Sequence, residues 1–224
     1  MSDAHDIVTP AWPRPRALLV ASMLLLLSGI TSLAGNILIY TRFPDRPAPQ
    51  DLLLQVLPSS TYAQYVTEVA IIGVFVLLLI YVLRYARHQL ADMIAIFGIF
   101  YLIRSVLMVL TPLAHSYAGP GNFGAMPLDQ LGMFPSGHAG ASLICFMMID
   151  ADRAPVLRRL TLAFAVTQWV ALLLSHGHYS IDVAGGMLLA YFVYREWDDG
   201  PLFRPLRRLV HGEERPAVTG AEAA

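Results

Sequence analysis

Residues 66–86 read VTEVAIIGVFVLLLIYVLRYA, and between Glu68 and Arg84 no charged side chain interrupts the run. A helix needs about 20 mainly apolar residues to cross the hydrocarbon layer of a bilayer, so this stretch reads as a membrane span. Working outward, comparable apolar runs occupy 17–40, 91–112, 136–151, 156–176 and 180–196. The whole chain agrees in composition: 56% of its residues are in the hydrophobic class and 14% are charged, where a soluble domain carries about 25% charged residues. The predicted fold class is all-α, a polytopic bundle of six transmembrane helices. It is expected to form one domain over 17–200, between a tail at 1–16 and a C-terminal tail at 201–224 that reads as disordered.

The fourth and sixth runs are short and each opens at a polar motif. Their outer ends are therefore expected below the membrane surface, in a pocket walled by longer neighbours. Pro44, Pro47 and Pro49 break the chain after the first run, and Asp51 to Leu57 reads as a short amphipathic piece at the interface. Arginine sets the orientation. With alternating helices, Arg14, Arg16, Arg84, Arg87, Arg153, Arg158, Arg159, Arg195, Arg204, Arg207, Arg208 and Arg215 fall on one side, and Arg42 and Arg46 on the other. This bias puts both termini in the cytoplasm. A competing reading makes residues 14–34 a signal peptide cut after Ser32-Leu33-Ala34, but the apolar run continues through Ile37, Leu38 and Ile39.

The fifteen basic residues are all arginine, so any fixed cation at a site is a guanidinium. This bias and the small size suggest a bacterial inner-membrane protein. A net charge of −1 argues against a nucleic-acid partner, and the single cysteine, Cys145, allows no intrachain disulfide.

Two polar motifs open helices on the same expected side. Phe134-Pro135-Ser136-Gly137-His138-Ala139 starts the fourth, and the first backbone N–H groups after Ser136, beginning at Gly137, suit a phosphate oxygen. His176-Gly177-His178-Tyr179-Ser180-Ile181-Asp182 starts the sixth, where His178 and Asp182 are four residues apart and share a helix face. Asp182 can hold one imidazole N–H and make the other nitrogen the better nucleophile. A lone intramembrane histidine can simply bond a neighbouring helix. Two histidines and a carboxylate on two helices are costly to place there and point to function. Arg104, inside the third run and nearer its outer end at Thr111-Pro112, is the candidate phosphate clamp, with a salt bridge to an acidic loop residue as the plainer reading. His176 is a further candidate for a positive charge or hydrogen bond, with a helix-end histidine facing the interface as the equal alternative. In the 113–135 loop, Tyr117, Phe123 and Asp129 are candidates to surround a head-group ammonium, against the plainer reading of an aromatic belt.

With these residues in hand, the chain resembles the phosphatidic acid phosphatase type 2 superfamily, and within it most closely the sphingomyelin synthase-like branch. Pro135-Ser136-Gly137-His138 matches one superfamily element in full, and Arg104 with Thr111-Pro112 matches another with Arg for Lys and Thr for Arg. His178 and Asp182 match the end of a third, whose Ser-Arg pair is Ala171 and Leu172 here. The sphingomyelin synthase-like pattern accommodates those departures: Met133-Phe134 precedes the fourth-helix motif, and His178-Tyr179-Ser180-Ile181-Asp182-Val183 differs from its counterpart by Ser for Thr. The resemblance covers roughly 66–196. It implies an enzyme with His178 as nucleophile, Asp182 stabilising its imidazolium, and His138 as acid and then base. Arg104, Ser136 and Gly137 would bind phosphate; beside them, Thr111, Tyr179, His176 and Asp129 are candidates to support the site or the head group.

That resemblance implies no cofactor, and no carboxylate spacing in the chain suggests a metal site. With one intramembrane guanidinium where the phosphatase pattern has three cations, a singly charged phosphodiester suits the site better than a monoester. The expected partners are a membrane phospholipid donor and a lipid alcohol, diacylglycerol or a ceramide-like base, or else water. The runners-up are a lipid phosphate phosphatase acting on phosphatidate or an isoprenoid diphosphate, and an inactive scaffold or scramblase. Ser136 as a hydrolase nucleophile is disfavoured, because His138 two residues on faces away from it on a helix. No string of aspartates for a CDP-alcohol phosphotransferase is present.

Overall fold

The computed structural model describes residues 12–116, 122–123, 126–127 and 132–212, and its elements begin where local chemistry favours them. In order they are α1 (Pro15–Arg42), α2 (Leu52–Val56), α3 (Thr61–Tyr85), α4 (Leu90–Leu110), α5 (Gly137–Met148), α6 (Pro155–Leu174), α7 (Ser180–Asp198) and α8 (Arg204–His211). A two-residue antiparallel pairing of Asn122–Phe123 with Met126–Pro127 lies between α4 and α5. Pro15, Pro155 and Pro205 stand in the first turns of α1, α6 and α8, where a missing N–H leaves no bond unmade. Asp51 and Ser136 cap α2 and α5 with side-chain oxygens.

Helix α1 packs along α4 and α3 along α6, while α5 lies among α3, α4, α6 and α7. Small residues allow the close crossings. A Cβ on Gly98 of α4 would stand 2.9 Å from the backbone of Leu24 in α1, the close approach typical of helix pairs in membranes. Val74, Tyr81, Phe100, Ile144 and Val193 fill the interior between the helices. Outward, Leu26, Ile72, Val170 and Leu188 leave half or more of their surface exposed. An apolar exterior on this scale needs lipid around it, and the chain is an integral membrane protein.

All six predicted runs fall on helices, but the six-span count is not reproduced. Among the described residues four helices are long and apolar enough to cross a membrane: α1, α3, α4 with the preceding turn, and α6. Helix α5 has 12 residues, about 18 Å at 1.5 Å per residue against a layer of about 30 Å. Helix α7 is long enough but finishes in Arg195-Glu196-Trp197-Asp198. The piece at 51–57 is the short helix α2, held by Asp51. The segment read as a disordered tail contains α8, whose Val210 is buried and whose Arg207 binds the carbonyls of Trp197 and Asp198. Residues beyond 212 lie outside the described part.

Candidate active site

The site is built where α5 and α7 begin, because glycine lets their backbones touch. Gly186 of α7 lies against Ser136, so that an added Cβ would stand 2.2 Å from the Ser136 carbonyl oxygen. One turn into α5, Gly140 lies against the Gly186 carbonyl and the Phe100 ring. The Ser136 N–H donates to the Asp182 carbonyl at 2.9 Å, a direct tie between the two helix starts. Trp169 of α6 holds α5 from the other side, its indole N–H donating to Ser142 Oγ at 2.9 Å and to the Ala139 carbonyl at 3.3 Å.

This contact brings the imidazoles of His138 and His178 together, with ring centroids 6.4 Å apart and planes inclined by 62°. His178 Nδ1 lies 3.3 Å from Asp182 Oδ2. Helix α7 begins only at Ser180, so the two meet across the helix start, with His178 just before the N-cap Tyr179, and not on the shared helix face that the spacing suggested. The same carboxylate oxygen accepts the Tyr179 N–H at 3.1 Å, capping the start of α7. Asp182 is fully buried, and its Oδ1 has no hydrogen-bond partner among the described residues. His178 Nε2 is thus the nitrogen turned away from the carboxylate.

Arg104 reaches the start of α5 from α4. Its Nε donates to the Pro135 carbonyl at 2.8 Å and Nη2 to the Gly132 carbonyl at 3.3 Å, with Nη1 3.7 Å from Met108 Sδ. A Cβ on Gly137 would stand 3.2 Å from Nε, so the absence of a side chain there lets the guanidinium lie flat on the helix start. Ser136 Oγ accepts the Ala139 N–H at 3.3 Å as the N-cap. The first-turn amides that remain are those of Gly137 and His138.

The other sequence candidates fall elsewhere. His176 occupies the left-handed C′ position that ends α6, with φ of 52°. Its N–H bonds the Leu173 carbonyl and the Gly177 N–H bonds the Leu172 carbonyl, the paired bonds of a Schellman motif. Its Nε2 lies 3.2 Å from the Leu57 carbonyl, and its own carbonyl accepts the Ser116 hydroxyl at 2.6 Å. Thr111 ends α4 two turns beyond Arg104. Tyr179 is buried at the start of α7. Tyr117 and Asp129 lie outside the described residues, as does the side chain of Phe123.

Sequence reading missed Asp51, Trp169, Gly140 and Gly186. The pair Gly185-Gly186 inside an apolar helix is a visible signal of close packing. Asp51 gave none beyond its own helix cap.

A family model described as AtPDCT1/2 matches residues 53–196, well over half of the chain and the whole span from α2 through the site. No curated protein matches. The match corrects the resemblance to the phosphatidic acid phosphatase type 2 superfamily and its sphingomyelin synthase-like branch, and removes the support that this resemblance lent to a phosphatase and to a sphingolipid acceptor. The motifs that suggested it are short and centre on phosphate chemistry, whereas the family match rests on a continuous stretch.

Proposed function

Since the chain belongs to the AtPDCT1/2 family, we propose that it is a lipid head-group transferase that moves phosphocholine from phosphatidylcholine to diacylglycerol. The family name stands for phosphatidylcholine:diacylglycerol cholinephosphotransferase, which supplies donor and acceptor. The observation that carries the reading is the facing of His138 and His178 at 6.4 Å with Asp182 behind His178. Near-attack separations are about 3–3.5 Å, so rings this close can both reach one phosphate group seated at their rim, His178 at phosphorus and His138 at an oxygen.

His178 Nε2 attacks phosphorus, and the bond from phosphorus to the diacylglycerol oxygen breaks. His138 gives that oxygen its proton, so the first diacylglycerol leaves neutral. Phosphocholine now sits on His178 as a phosphoramidate. A second diacylglycerol enters, His138 takes its hydroxyl proton, and the alkoxide-like oxygen attacks phosphorus to release His178 and a new phosphatidylcholine. Asp182 favours the cationic ring through Oδ2. The remaining N–H groups of Arg104 and the amides of Gly137 and His138 answer the single charge of a phosphodiester. In this reading α5 and α7 begin below the outer surface and complete six alternating spans; on that premise the arginine bias favours an extracytoplasmic site with both termini in the cytoplasm.

The test uses full-length protein in liposomes with choline-labelled phosphatidylcholine and diacylglycerol of distinct acyl chains. Label is expected in phosphatidylcholine carrying the acceptor's chains, and a His178→Ala protein should form none. Release of phosphocholine or phosphate to water, with no labelled lipid product, would overturn the reading.

A further inference from the structure

Asp51 is far in sequence from His138, His178 and Asp182, yet its carboxylate is tied to the turn that carries His178. Oδ1 accepts the Leu53 and Leu54 N–H groups at 2.9 and 3.2 Å and thereby caps α2. Oδ2 is used wholly for α7: it accepts the Ser180 N–H at 2.6 Å and the Ser180 hydroxyl at 2.8 Å. Ser180 is the first residue of α7, whose N–H has no partner within its own helix. Two further bonds run from the segment after α2 to the same turn. Ser60 N–H donates to the Leu174 carbonyl at 2.8 Å, and the Leu57 carbonyl faces His176 Nε2 at 3.2 Å. Leu174, His176 and Ser180 bracket His178 on both sides.

We infer that Asp51 is a positioning residue of the transfer reaction: by clamping Ser180 it fixes the α6–α7 turn that presents His178 to Asp182 and His138. The inference rests on the transferase reading for its kinetic half and on geometry alone for its structural half. A cap serving α2 only would need one carboxylate oxygen, and the second is bonded across 129 residues of sequence. Burial works against the Asp51 charge, but the four hydrogen bonds, led by those from Ser180, outweigh it and hold the carboxyl below its ordinary range. Asp51 itself touches no reacting atom.

Two variants cut the clamp from opposite ends. Asp51→Ser keeps a cap for α2 but cannot reach Ser180. Ser180→Pro removes both donors at the first helical position, where proline is well tolerated, and Tyr179 already has the φ of −66° and ψ of 154° that a residue before proline adopts. For each, kcat of phosphocholine transfer should fall roughly 10- to 100-fold with the KM for phosphatidylcholine changed less than about twofold, the size expected when a catalytic group is displaced by about 1 Å. The double variant should be no worse than either single one, since both remove the same contact. In hydrogen exchange, amides over 175–182 should exchange faster in both variants. Unchanged kcat and exchange would overturn the inference, as would additive losses, or a rise in KM at constant kcat, which would make Asp51 a head-group ligand. Should the parent protein not transfer phosphocholine, the transferase reading fails, and exchange over 175–182 still decides whether the clamp exists.

Discussion

Replacing Gly186 by alanine is the sharpest test of how the site is assembled. The new methyl carbon would stand 2.2 Å from the Ser136 carbonyl oxygen, 3.1 Å from its carbonyl carbon and 3.2 Å from its nitrogen, where ordinary contact begins at 3.4 Å. All three atoms are backbone, so no rotamer change relieves the clash and the starts of α5 and α7 must part by roughly 1.2 Å. The Ser136 N–H bond to Asp182, at 2.9 Å, is stretched by the same movement, and His138 moves away from His178. Overpacking of this kind costs about 1–3 kcal/mol of stability. A displacement near 1 Å between reacting groups costs about 100-fold in rate, so kcat should fall by about two orders of magnitude. The assay is head-group transfer in liposomes at a temperature where thermal unfolding shows the variant folded. Gly29→Ala, within α1 and with nothing within 4 Å, is the control: it should leave the rate unchanged and stability unchanged or slightly raised. A Gly186→Ala protein that transfers at the parent rate would refute the argument that glycine contact sets the distance between the imidazoles.

Other perturbations address single groups. Asp182→Asn keeps the shape but removes the charge behind His178 and should lower kcat by about 10²–10⁴-fold, read by the same transfer assay. Arg104→Lys keeps a cation but loses the fork that reaches Pro135 and Gly132 together; a loss of about 1.5–3 kcal/mol in transition-state binding is expected, measured as kcat/KM. Trp169→Phe removes the bonds to Ser142 and Ala139 and should destabilise by about 1 kcal/mol, seen as a lower thermal midpoint. The lowered pKa of Asp51 contributes stability that is complete above its ordinary value of 3.8 and is lost as pH falls through the lower folded value. Thermal midpoints measured downward from pH 5 should therefore fall less steeply for Asp51→Asn than for the parent.

Much of this was legible because it is local. An uninterrupted apolar run such as 66–86 can satisfy its backbone in lipid only as a helix, whatever surrounds it. The nearness of His178 to Asp182 is also local, a spacing of four across the start of α7, although His178 precedes that helix and shares no face of it. His176 shows the limit of such reading. Its spacing left open a source of charge, a hydrogen bond or a plain helix end; in the structure it closes α6 in a left-handed conformation, a position where glycine is the usual signal. The number of spans also escaped, since helix content follows from apolarity while crossing depends on length, and α5 stops after 12 residues.

The amino-acid order by itself determined that the chain is a helical membrane protein and offered two imidazoles and a carboxylate as candidates for a site, because hydropathy and short spacings act over a few turns. Tertiary structure alone decided that His138 meets His178, that Arg104 lies along Gly137, and that Asp51 holds Ser180 from 129 residues away. Those contacts depend on backbone approach between helices distant in sequence, which is set by how glycine, serine and tryptophan surfaces fit together once the bundle has closed.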